Sequence, residues 1–197
     1  MKLILASGNK GKLREFREIL EPLGVEIVSQ KEAGFDLDVE ETGSTFEENA
    51  YLKASAICAA SGLPAVADDS GLCVDALGGA PGVHSARFGG GKSWTDQQKY
   101  MYLLEKLSGV SDRSARFVSC VCCLFPNGDV LRARGECPGR ILTAPEGDGG
   151  FGYDPVFAPE GYEASFASLG EAVKNRISHR ARALAAFRKE LESYADR

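Results

Sequence analysis

The chain has 197 residues, 44% of them hydrophobic and 26% charged, with a formal net charge of -5 and a pI of about 5.2. That is enough to bury a core as one domain or as two lobes sharing a sheet. The acidic balance excludes bulk attraction to nucleic acid or to an anionic membrane, because no diffuse positive field exists to recruit either.

No apolar run approaches the roughly 20 residues that span a bilayer. The opening "MKLILASGN" is too short in its apolar part for a secretory signal, so a cytoplasmic protein is expected. "KLILA" reads as a short buried strand. "GKLREFREILEPLG" reads as a helix with Leu13, Phe16, Leu20 and Leu23 on one side and Gly24 as its stop. "VEIVS" is a second strand. "DLDVEETGSTFEENAYLKASAICAASG" then carries overlapping capping boxes, Ser44 with Glu47 and Thr45 with Glu48, so a helix is expected to begin there and end near Gly62. Asn49 and Lys53, four apart, share a face of that helix.

"LPAVA" is a third strand, followed by "DDSGLCVDALGGAPGVHSARFGGG", a long glycine-punctuated connection of the kind that carries function. "TDQQKYMYLLEKLSG" is a helix capped by Thr95, with Met101, Leu104 and Leu107 at three-residue spacing. "ARFVSCVCCLF" and "DVLRARGEC" flank "PNG", a hairpin signal. A second glycine-rich loop, "APEGDGGFGYDPVF", precedes the last helix, "SHRARALAAFRKELESY", capped by Ser178 and burying Leu184, Phe187 and Leu191. Together these elements predict an α/β fold, a mixed sheet with flanking helices and no clean domain boundary.

The chain has six cysteines, and Cys120 with Cys123 makes a formal CxxC. On a strand those two point to opposite faces and cannot jointly grip one metal, so small reduced core cysteines are expected.

Four clusters carry candidate chemistry. "SGNKGK", residues 7 to 12, hands a strand over to a helix, where unpaired backbone N-H groups and two ammonium groups would suit a phosphate. It is not a P-loop, because Gly8 and Gly11 are too close and Leu13 follows Lys12; a tight turn with solvated lysines is the other reading. "ADDSG", residues 67 to 71, places two carboxylates after a predicted strand. Beside a polyphosphate they call for a divalent cation, to which the Glu40 and Glu41 pair could contribute, although an N-cap or Asx-turn role explains any one acid taken alone better than a metal does. "GGFGYDP", residues 149 to 155, offers Phe151 or Tyr153 to stack a base and Asp154 to accept from it, unless the aromatics turn into the core. "KNRISHRAR" gathers Lys174, His179 and Arg180 near a helix start, as donors or as a solvated cap.

Taken in order, "LILASGNKGKLREF", "EETGSTFEENAYLKA", "ADDSGLCVDALGGAPGVHSARF", "GGFGYDPVF" and "ISHRARAL" closely resemble the family of non-standard purine nucleoside triphosphate pyrophosphatases, also called inosine triphosphatases or XTP/dITP diphosphatases. The resemblance runs from residue 3 to about residue 187. It implies an elongated two-lobed fold with a central substrate cleft, and an enzyme that converts ITP, dITP or XTP to the monophosphate and pyrophosphate. It also implies a triphosphate held by Ser7, Gly8, Asn9, Lys10, Gly11 and Lys12 with help from Lys53, and Mg²⁺ on Glu40 and Asp69. Asp69 would accept the proton, with Asp68 and Ser70 beside it. Phe151, Gly152, Tyr153, Asp154, Lys174, His179 and Arg180 would form the base pocket, and a homodimer is implied, with neither nucleic acid nor membrane as partner.

Two departures stand out. Ser7 replaces a frequent threonine, and Ala172 and Val173 precede Lys174 where the family usually has acids. The neighbouring Maf-type pyrophosphatases open with a similar "LILAS" but continue with serine, proline and two arginines, unlike Asn9, Lys10 and Lys12. A nucleotide sensor without turnover would have no need of Asp69.

Overall fold

The computed structural model describes residues 1–91 and 93–196. Its strands are β1 (Lys2–Leu5), β2 (Glu26–Ser29), β3 (Ala65–Val74), β4 (Ser114–Leu124), β5 (Val130–Ile141) and β6 (Phe157–Pro159). They form a mixed sheet in the order β2-β1-β3-β4-β5-β6, parallel where β1 meets β2 and β3, antiparallel where β5 meets β6. The helices are α1 (Lys10–Leu20), α2 (Phe46–Ser61), α3 (Asp96–Lys106), α4 (Phe166–Leu169), α5 (Glu171–Ile177) and α6 (His179–Ala195). The α/β class with a mixed sheet and flanking helices is thus the one read from the sequence. The chain divides into two compact units. The first holds Met1–Asp69, Ser119–Gly135 and the stretch from Arg180; the second holds Ser70–Val118 and Glu136–His179.

The first unit has three layers because its strands alternate. Leu3, Leu5, Val66, Val121 and Cys123 pack with Phe16 and Leu20 of α1 and with Leu184, Phe187 and Leu191 of α6. Ile4, Ala6, Ala65 and Ala67 pack on the other face, against Ala54, Ile57 and Cys58 of α2. Asn9 caps α1 and Thr45 caps α2 in a reciprocal box with Glu48. Gly62, at φ 66°, ends α2 in a left-handed conformation that a side chain would resist. The second unit has its own core of Leu72, Val74, Leu103, Leu107, Phe117, Phe157 and Phe166, with the rings of Phe117 and Phe157 4.6 Å apart, edge to face.

Several expectations change. Asp68 to Val74 belong to β3 and not to the glycine-punctuated connection, because nearly all of this segment is buried and paired as strand. Ser44 bonds the Glu48 carboxylate, while Glu47 turns to Arg134. Met101 is exposed; Leu103 of α3 and its C-cap Leu107 are the buried residues, since a 3.6-residue period drifts away from strict three-residue spacing. Helices α4 and α5 went unread, and Ser178 both ends α5 and directly precedes α6.

All six cysteines are buried. Cys123 lies in the α1/α6 core, whereas Cys120 Sγ meets Arg134 at 3.7 Å on the opposite side of the strand. Burial raises the Cys58, Cys120 and Cys123 thiols and pushes Cys122 up to about 11. Native protein is therefore expected to resist a disulfide reagent at about pH 8, with six thiols titrating only after denaturation; rapid native labelling would contradict this burial. Phe187→Ala, at a fully buried site in the first core, should cost about 3–5 kcal/mol in urea unfolding.

Candidate active site

The turn "SGNKGK" is more closed than its composition suggests. Ser7 Oγ accepts the Asn9 N-H at 3.1 Å, and Asn9 Oδ1 accepts those of Gly11 and Lys12 at 2.8 and 3.2 Å. Those three N-H groups are satisfied within the turn, which corrects the expectation of unpaired donors. Nor do the two ammonium groups converge. Lys10 is exposed, as are Gly8 and Gly11, while Lys12 reaches inward, 2.8 Å from Asp68 Oδ1.

Strand β3 sets the centre of the site. Consecutive residues point to opposite faces, so Asp68 follows Val66 toward α1 and α6 while Asp69 follows Ala65 and Ala67 toward α2. Asp68 meets Lys12 of α1 and accepts from Arg180 Nε of α6 at 3.3 Å; Arg180 also donates to Glu15 Oε2 at 3.0 Å. Burial pushes the Asp68 carboxyl up, but Lys12 and Arg180 overcome it and hold it well below the usual carboxylate range. Burial lowers the Lys12 ammonium; Asp68 opposes that, while Arg180 and Lys53 reinforce it. The two partners move the same way because Asp68 faces two cations and Lys12 only one close anion.

On the other face, Asp69 Oδ1 lies 3.2 Å from Lys53 Nζ and Oδ2 accepts from Asn49 Nδ2 at 3.2 Å. Lys53 also donates to Glu41 Oε1 at 2.6 Å. Burial raises the Asp69 carboxyl; Lys53 partly offsets this and Glu41 adds to it. Burial would lower Lys53, but Asp69 and then Glu41 and Asp68 outweigh it, and the ammonium is held above its ordinary value. The i, i+4 pair on α2 thus grips one carboxylate.

Of the acidic pair, Glu41 is drawn onto Lys53 while Glu40 is exposed. Among the described residues no three His, Cys, Asp or Glu side chains gather closely enough to cage a metal. Asp69 and Glu41, which meet on Lys53, nevertheless fit magnesium, which is bound by one or two carboxylates plus substrate oxygens.

The second unit holds the remaining candidates. Asp154 is buried, accepts the Phe151 N-H at 2.9 Å and pairs with Lys174 of α5. A side chain at Gly150 would strike Asp154, its Cβ falling 2.2 Å from Oδ2. The Phe151 ring is 55% exposed, with the Lys174 ammonium 3.8 Å from its centre. Gly152 N-H donates to Asp96 at 2.7 Å. Tyr153 is buried, its hydroxyl on the Ser85 carbonyl at 2.8 Å and its phenol raised by burial; only Phe151 is left as a stacking surface. His179 stacks on Phe117 at 4.8 Å, and Ser70 is half-buried in β3 directly after Asp69. Asn49, Glu15 and Asp96 were not expected at the site. The spacing of Asn49 to Lys53 was the one visible signal for any of them.

An α/β protein with an aspartate pair on one strand and lysines on both its faces is built to handle a charged phosphate. A Ham1 family model matches residues 3–190, and the chain belongs to the Ham1 family. It is 49% identical over 186 residues to the dITP/XTP pyrophosphatase of Treponema denticola, covering 93% of this chain and 95% of that one. It is 47% identical over 198 residues to the protein of that name from Thermus thermophilus, covering 100% and 93%. The structure of the Staphylococcus aureus Ham1 protein matches with a TM-score of 0.92 at 38% identity, covering 98% of this chain and 100% of that one.

Because the Asp68 pKa is lower folded than unfolded, its stabilisation is present above the unfolded value, near 4, and is lost as pH falls through the folded one. Asp69, shifted upward, has the opposite sign. Asp68→Asn takes the buried anion from Lys12 and one of two carboxylates from Arg180, and should lose about 3–5 kcal/mol at neutral pH. In urea unfolding its deficit should shrink below about pH 4; a deficit independent of pH would mean that packing, not charge, is lost.

Proposed function

We propose that the chain is a magnesium-dependent nucleoside triphosphate pyrophosphohydrolase that cleaves ITP, dITP and XTP between the α and β phosphates, clearing deaminated purines from the nucleotide pool. The observation that carries this reading is Asp69, buried, raised in pKa and oriented by Lys53 and Asn49. An ordinary aspartate, with pKa near 4, is a weak base at neutral pH. Burial makes this one more basic without depriving it of a cationic neighbour.

In the proposed mechanism, Lys12 and Lys53 neutralise phosphate oxygens as charge develops on them, and the turn from Ser7 to Lys12 lies against the polyphosphate. Asp69 orients water and takes its proton, and Asp68 keeps Lys12 in place. Asp69 with the acidic pair Glu40 and Glu41 would hold the magnesium, Glu41 being the member already beside Lys53. When bound, the cation supplies charge neutralisation and acidification of water.

For the base, Phe151 offers a stacking face, while Lys174, His179 and Arg180 offer donors. A guanidinium has five N-H groups, so engagement by Asp68 and Glu15 is compatible with a further acceptor. Hypoxanthine and xanthine present a 6-oxo acceptor to such donors. Adenine presents a 6-amino donor and leaves them unpaired. A cytoplasmic homodimer completes the reading, and no described helix is long and apolar enough to cross a membrane.

Pyrophosphate release from ITP, dITP, XTP, GTP, ATP and dTTP with Mg²⁺ tests the proposal. The first three should be fast, and Asp69→Asn and Lys53→Ala should each lose at least about a hundredfold in kcat. Binding of ITP without turnover would make the protein a sensor, and preference for dTTP would place it with the Maf-type enzymes.

A further inference from the structure

Asn49 is fully buried, and both ends of its carboxamide are used. Its Nδ2 donates to Asp69 Oδ2 at 3.2 Å and its Oδ1 accepts the Gly43 N-H at 2.8 Å. The orientation is decided by chemistry, since a flipped amide would set oxygen against carboxylate and NH₂ against N-H. Gly43 closes two residues after Glu41, and its approach leaves no space for a side chain: a Cβ there would lie 2.7 Å from Asn49 Oδ1 and 2.7 Å from Glu48 Cβ. The next residue is clamped as well, with the Ser44 N-H and hydroxyl on Glu48 at 2.7 and 2.9 Å. Glu41 and Asp69 meet again on Lys53.

We propose that Asn49 is a positioning residue that fixes the Asp69 carboxylate and the acidic turn at residues 40–43 as a single unit, an inference that rests on the pyrophosphohydrolase reading. Lys53 alone leaves Asp69 free to swing about one oxygen. The second bond, from a neutral donor, fixes the carboxylate plane without adding another charge, and the same amide sets where Glu41 is delivered. Such a residue acts through its neighbours and touches no substrate.

Two variants attack the unit from opposite ends. Asn49→Asp keeps the shape and the acceptor for Gly43 but turns an acceptor toward Asp69; Gly43→Ala leaves Asp69 untouched and forces the turn off Asn49. Each is expected to lower kcat at least about tenfold with KM changed less than about threefold. Hydrogen exchange supplies a readout independent of turnover: the Gly43 amide should be protected in wild type and Asn49→Asp, and should exchange faster in Asn49→Ala. Wild-type kcat in folded Asn49→Asp overturns the proposal, as does unchanged Gly43 exchange in Asn49→Ala. If the wild type itself releases no pyrophosphate, the activity reading fails, and Gly43 exchange alone then decides whether the coupling exists.

Discussion

The pleat of one strand governs the chemistry of the first unit. Two aspartates adjacent in sequence would repel each other if they shared a face, and burial would neutralise both. In β3 they are separated by the sheet itself, Asp68 toward α1 and α6, Asp69 toward α2, each with its own cations. The result is one carboxylate held firmly ionised and a neighbour pushed toward basicity. Environments that drive two similar groups apart assign them different work.

The layers around that strand serve the same end. Lys12 lies in the first turn of α1, Arg180 at the start of α6, and Asn49 and Lys53 on the buried side of α2. Apolar packing of Phe16, Ile57 and Phe187 fixes those helices, so the charged groups inherit a geometry set by the core. Asp154 anchors the glycine-rich loop from below, while Phe151 stays exposed under the Lys174 ammonium. In the proposed function that exposed ring is the face on which a base would stack.

Where local chemistry dominates, the sequence was readable. Thr45 with Glu48 announced the start of α2, Gly62 its end, and the "PNG" turn the hairpin of β4 and β5. The i, i+4 placement of Asn49 and Lys53 was legible as a shared face, though not what that face would grip. The extension of β3 through "DDSGLCV" was hidden, because polar and glycine residues there mimic a loop and become strand only when partners on other elements satisfy them. The contact of Glu41 with Lys53, and the internal satisfaction of the "SGNKGK" donors by Ser7 and Asn9, were hidden for the same reason.

The α/β class and the order of the main elements are legible along the chain, since they depend on periodicity, capping and turn chemistry within a few residues of each position; the family resemblance rests on the quoted motifs themselves. Which carboxylate meets which cation is settled by the folded chain. Asp68 reaches Arg180 across 112 positions of chain, and Asn49 reaches Asp69 across 20. Burial and Coulomb energies act through space, and the chain's folded path alone sets those distances.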